Sequence, residues 1–309
     1  MNISELPMII FTVLAQMSVG AFVVLGVVQA VASHRYGAAA VDKVTDPALY
    51  AIGPVLVFGL IASMFHMNDV THTLNVVRHL GSSWLSAEIV FGVAFAGLGF
   101  AFAAAQRFAW GTTRLRQALA ALTAIVGLVL VFSMSMIYYS LPTVPAWHTW
   151  ATPAQFFTTT FLLGALAVGA ALTGAVMWRQ RHSTATAATA TEASPDQLLT
   201  TCLKGIGIGA VVLLGVEFLI IPLHIATLSA GGGAATASAA VFTGAWFLAR
   251  LVLVFLGAGL LAVFLYRYAS TRTAPRILAI VATSAFVLVL AGELIGRSLF
   301  YESMKRIGM

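Results

Sequence analysis

The chain has 309 residues, of which 60% are hydrophobic and only 8% charged, and its mean hydropathy is +0.97. A water-soluble domain carries about 25% charged residues, so this composition excludes a soluble globular protein and marks an integral membrane protein. The single cysteine, Cys202, excludes internal disulfides, cysteine-held iron–sulfur clusters and C-x-x-C-H haem attachment in this chain, and the net charge of +6 implies no nucleic acid because the bases lie beside apolar runs.

Strands that cross a bilayer alternate apolar and polar residues, whereas the runs here stay apolar for about 20 residues, the length a helix needs. The fold class is therefore an all-α membrane bundle. Eight spans are predicted, at about residues 7–32, 47–67, 84–106, 117–140, 153–178, 203–228, 240–266 and 276–300. The first has no basic residue before Arg35, unlike a signal peptide, and is expected to stay attached.

Between spans five and six, the tract STATAATATEASP from Ser183 to Pro195 has no apolar periodicity and reads as a linker. It divides the chain into residues 1–182 with spans one to five, a cytoplasmic linker at 183–202, and residues 203–309 with spans six to eight. A weak repeat points to two four-helix halves: Trp84 and Glu88 open span three as Trp246 and Arg250 open span seven, and His66 and His224 close spans two and six.

Cytoplasmic loops retain Lys and Arg. Arg35, Lys43, Arg107, Arg114, Arg116, Arg179, Arg181, Lys204, Arg267, Arg272 and Arg276 fall on one side, against Arg78, Lys305 and Arg306 on the other. Both termini are accordingly expected on the outer, periplasmic side of a bacterial inner membrane.

An ionisable group inside a span normally faces a partner or a water-filled cavity, because a charge near the bilayer centre costs at least about 2.5–3.5 kcal/mol. Seven such groups stand out: His66, Glu88, Glu217, His224, Arg250, Glu293 and Arg297. His66 closes span two and Glu88 lies about one turn into span three, so the antiparallel pair places both at similar depth. An imidazole and a carboxylate there suit the hydroxyl contact and proton release of quinol oxidation; the structural reading is an interfacial histidine and a carboxylate paired with Arg78 or a helix N-terminus.

Glu217 and His224 are two turns apart on one face of span six, and Pro222 between them is expected to disturb the helix ladder there and free a carbonyl. They form a second candidate wall of the site together with Arg250, for which the structural reading is a counter-ion to Glu217. Glu293 and Arg297 are spaced i, i+4, the orientation of an intrahelical ion pair. In the loop TVPAWHTWATP from Thr143 to Pro153, Trp147, His148 and Trp150 suit either an aromatic anchor at the interface or a surface that docks a protein partner. A membrane haem requires two facing imidazoles at one depth, for which only His66 and His224 offer themselves, and none is expected.

Several stretches resemble the membrane anchor subunits of anaerobic dimethyl sulfoxide reductase. They are LPMIIFTVLAQMSVGAFVVLG from Leu6, FGLIASMFH from Phe58, SSWLSAEIVFG from Ser82, TVPAWHTWATP from Thr143 and AGELIGRSLFY from Ala291, in order across nearly the whole chain. The resemblance is poor from about Met177 to Leu203 and in span six. It implies an eight-span subunit without haem that tethers an iron–sulfur subunit and a molybdenum catalytic subunit, oxidises menaquinol in anaerobic respiration and passes the electrons on to a small S-oxide or N-oxide. It also associates His66 and Glu88 with quinol binding. The family usually continues from this histidine as His-Leu-Gly-x-Pro, whereas this sequence reads HMNDV from His66 to Val70. Asn68 and Asp69 suit an Asx turn there, and Asp69 adds a carboxylate to the proton path. The alternative from the residues alone is a polytopic proton or small-solute transporter, or a purely structural anchor, with Glu88, Glu217 and Arg250 lining a path.

Overall fold

A computed structural model describes residues 5–64, 81–182, 195–263 and 275–308. Eight of its helices are long and apolar enough to cross a membrane, and among the described residues there is no strand. The protein is all-helical and crosses the membrane several times. The helices are α1 (Leu6–Tyr36), α2 (Ala38–Met64), α3 (Trp84–Arg107), α4 (Thr113–Tyr139), α5 (Ala151–His182), α6 (Pro195–Ala230), a short α7 (Gly233–Ala239), α8 (Ala245–Val254) and α9 (Pro275–Glu302). Ser83 and Thr112 start α3 and α4 by accepting the backbone N–H groups of Ser86 and Leu115, which an apolar N-cap would leave unpaired.

Three features differ from the sequence expectation. The connection between the first two spans is not a loop: α1 and α2 are joined by Gly37 alone, at φ +80°, a conformation that side chains disfavour. Arg35 and Lys43 therefore sit on helices and not in a loop. Gln29 of α1 bonds Asp42, and Thr45 bonds Gln29, stapling this hairpin. Pro222 does not break span six, for α6 continues through it to Ala230. The break falls in span seven instead. Gly232 and Gly233, both at positive φ, reverse the backbone, α7 and a 3₁₀ turn (Ala240–Thr243) lie across the end, and the spanning helix starts only after the extended Gly244. It then loosens into a π segment at Phe255–Gly259.

In lipid the apolar effect does not hold helices together, so close backbone approach by small residues matters. Gly20 of α1 and Gly164 of α5 touch backbone to backbone, and a Cβ on Gly20 would collide with the carbonyl of Thr160. This pair forms the centre of the bundle. α2 packs on α1, α6 and α9 pack on α5, α3 packs on α4, and α8 packs on α9. One buried cluster joins Val13, Leu166, Leu203 and Val289, and a second joins Phe95, Leu130, Phe156 and Phe300. Both draw on helices before and after the linker, so the two parts share one interior.

Candidate functional site

Most of α3 faces outward, with Val93 63% exposed and Phe100 53% exposed, as a lipid-facing helix requires. Its buried residues are Ser86 in the first turn and then Glu88, Gly92 and Phe95, which share one face of the helix. Glu88 is thus turned inward, about 6 Å past the start of α3. A Cβ on Gly92 would meet Leu130 of α4 at 3.8 Å, so in this antiparallel pair Glu88 is level with Met134. Tyr138 stands about one turn nearer the termini-bearing face.

Tyr138 of α4 meets Tyr301 of α9 here. Their hydroxyls meet at 2.9 Å, and Tyr301 lies 3.2 Å from the hydroxyl of Thr12. Aromatic rings enclose the pair: Tyr138 packs edge-on against Trp147 and Phe300 at 5.1 Å each. Beyond Tyr301 a cavity of about 180 Å³ opens among Glu5, Ile9, Trp147, Ser298, Glu302 and Met304. On the membrane side, an apolar groove of about 210 Å³ runs between α1, α2 and α3 past Phe22, Tyr50, Phe95 and Phe100. His66 and Asp69, the expected partners of Glu88, lie outside the described residues, as does Arg78.

A second set of polar residues occupies the same half of the bundle. Arg250 donates to Glu217 at 2.8 Å and lies 3.6 Å from Glu293, so one guanidinium serves two buried carboxylates, and Thr159 donates to Glu293 at 2.6 Å. This geometry is that of a counter-ion. Glu293 and Arg297, expected to pair along α9, find other partners. Arg297 donates to Gln16 at 2.8 Å and lies 3.9 Å above the Phe156 ring, while Gln16 donates to the Phe156 carbonyl at 3.2 Å. Hydrogen bonds to a fixed amide and an aromatic face on neighbouring helices hold the guanidinium better than a carboxylate already engaged elsewhere. His224 is buried with its ring 6.0 Å from Phe242, and its Nδ1 has no hydrogen-bond partner among the described residues.

The loop after α4 also departs from expectation. Trp147, a candidate for docking, is buried, stacks on Phe300 and donates from Nε1 to the Phe300 carbonyl at 2.9 Å. An indole placed so is a structural peg. His148 and Trp150 are exposed, with the His148 ring held by the Tyr139 carbonyl at 2.5 Å. Among the described residues no three His, Cys, Asp or Glu side chains gather as a metal site. The sequence reasoning missed Gln16, Thr159, Tyr138 and Tyr301; Gln16, a lone amide within an apolar span, was the visible signal.

A family model described as DMSO reductase anchor subunit (DmsC) matches residues 1–302. The sequence is 30% identical over 313 residues to the C subunit of the anaerobic dimethyl sulfoxide reductase of Escherichia coli, an alignment that covers 99% of this protein and 96% of that one. It is 27% identical over 314 residues to the YnfH subunit of anaerobic dimethyl sulfoxide reductase from the same organism, with the same coverage of 99% and 96%. To the corresponding C subunit of Haemophilus influenzae it is 29% identical over 168 residues, 54% of this protein and 58% of that one.

Proposed function

This chain belongs to the DMSO reductase anchor subunit family, and from that premise we propose that it binds and oxidises menaquinol at the termini-bearing ends of α2 and α3. As an anchor it associates with the other subunits of a DMSO reductase complex in the membrane. In the proposed reaction His66 bonds one quinol hydroxyl, and Glu88 or Asp69 accepts protons. The two electrons pass to an iron–sulfur subunit and on to a molybdenum subunit that reduces dimethyl sulfoxide or a related S-oxide or N-oxide. The observation that carries the reading is the inward turn of Glu88 on a mostly lipid-facing helix, about one turn from the start of α3.

Charge asymmetry supports a periplasmic placement of the termini and of the site. Protons released there, with electrons consumed on the same side, move no charge across the membrane, so the step is electroneutral. The test is binding of a fluorescent quinol-site inhibitor to membranes holding the intact complex, in wild type and in His66→Ala and Glu88→Gln at equal expression. Loss in both variants, with the partner subunits still attached, is the expected outcome. Unchanged binding in both would reduce the two residues to structural groups and favour a purely structural anchor.

A further inference from the structure

We infer that the cavity between the start of α1 and the end of α9 receives an arginine side chain of the iron–sulfur subunit and so fixes where that subunit docks; this rests on the proposed quinol site, which lies on the same face at the start of α3. Two helix faces build the cavity. Glu5 and Ile9 stand four residues apart at the start of α1, and Ser298, Tyr301 and Glu302 share one face of the last turns of α9. Ser298 precedes Glu302 by one turn and so stands about 6 Å deeper along the helix axis.

The polar groups around the cavity select the chemistry of its occupant. Ser298 is only 5% exposed, and its hydroxyl has no hydrogen-bond partner among the described residues. A buried hydroxyl left unpaired is costly, so it calls for a ligand. Glu5 and Glu302 add carboxylate oxygens, which accept hydrogen bonds. The indole and phenol donors of the walls are engaged elsewhere: Trp147 Nε1 donates to the Phe300 carbonyl at 2.9 Å, and the Tyr301 hydroxyl contacts those of Tyr138 and Thr12. Such a lining suits a group that only donates, and its two carboxylates suit one that is positively charged. A guanidinium meets both demands, because its five N–H donors can serve two carboxylates and a deeper hydroxyl at once. Ile9, Trp147 and Met304 supply apolar wall for its methylene stem.

Size and surroundings favour a protein side chain over a free ligand. The volume of about 180 Å³ falls below the roughly 300–1,000 Å³ of small-molecule pockets and takes one long side chain. The surface beside it stays apolar past the end of α9, with Met304 42% and Ile307 63% exposed. The Ile307 N–H donates to the Thr143 carbonyl at 2.9 Å, which joins this segment to the loop that carries Trp147. An anchoring arginine among aromatic and methionine neighbours is the composition of an interface centre. Lys305 and Arg306 of this chain are exposed and do not line the cavity. The occupant belongs to the iron–sulfur subunit because the quinol proposed beside Glu88 gives its electrons to that subunit, which must therefore stand on this face.

The test follows release of the iron–sulfur subunit from membranes holding the intact complex, after dilution. In Glu5→Gln combined with Glu302→Gln the release rate is expected to rise on the order of 30-fold, and in Ser298→Ala about 10-fold. Quinol-site inhibitor binding, measured before release, is expected at the wild-type level. A photo-crosslinking residue at Met304 is expected to capture the iron–sulfur subunit beside an arginine, and the same residue at the lipid-facing Ile208, 61% exposed, to capture neither partner. Replacing the captured arginine by glutamine is expected to speed release equally, with no further effect in the carboxylate variant. Wild-type release rates in every variant would overturn the docking, as would capture at Met304 of the molybdenum subunit or a second copy of this chain alone. Loss of inhibitor binding with the subunits still attached would make the cavity part of the quinol site and would overturn it too. Failure of the quinol reading is read separately, as unchanged inhibitor binding in Glu88→Gln.

Discussion

Gly296 of α9 lies directly beneath the guanidinium of Arg250 from α8: a Cβ at Gly296 would stand 2.7 Å from the Arg250 Cζ. The absence of a side chain at one position thus allows the salt bridges at another. One turn earlier on α9, a Cβ on Gly292 would stand 2.7 Å from the Val254 side chain, so the two glycines together form the groove in which α8 rests.

Gly296→Ala is expected to destabilise the protein by about 1–3 kcal/mol, because Arg250 must move from Glu217 and Glu293 to clear the methyl. The measurement is the thermal midpoint of the detergent-solubilised complex. An unchanged midpoint would show that the guanidinium can shift without loss.

Removing the cation is expected to do more. Arg250→Met leaves Glu217 and Glu293 buried without their shared partner, and breaking a buried ion pair from one side costs about 3–5 kcal/mol. Combining it with Glu217→Gln is expected to recover part of that loss. A double variant as unstable as the sum of the two single ones would refute the coupling between the residues.

Gln16 is the neutral acceptor for Arg297. Gln16→Leu therefore removes a hydrogen bond to a buried cation and is expected to cost about 1.5–3 kcal/mol, read from the same thermal midpoint. Gln16→Glu, which keeps the acceptor, is expected to cost less, and the reverse order would argue against the assignment.

The two tryptophans of the loop after α4 are expected to separate cleanly. Trp147→Phe keeps the stack on Phe300 but leaves its carbonyl with the Ser303 hydroxyl alone, at a cost of about 0.5–1.5 kcal/mol. Trp150 is 52% exposed, and Trp150→Ala is expected to leave the thermal midpoint in place. Retention of the partner subunits on washed membranes then reports whether Trp150 contributes to docking. A stability loss in Trp150→Ala as large as that in Trp147→Phe would contradict the burial difference.

Local sequence signals determined the membrane class, the number of spans and the inward-facing Glu88, because span length and the rarity of charge within apolar runs are properties of short windows. The family, too, was legible in stretches such as SSWLSAEIVFG and AGELIGRSLFY. What each inward group touches was decided by the tertiary structure. Spacing along α9 favours Glu293 with Arg297, yet one meets Arg250 of α8 and the other Gln16 of α1. Trp147 reads as an interfacial residue until the end of α9 is placed beneath it. The Tyr138–Tyr301 contact joins residues 163 positions apart. Such pairings depend on how each helix is rotated about its axis, and that rotation is set by close approaches such as Gly20 on Gly164, which bring together backbones far apart in the sequence.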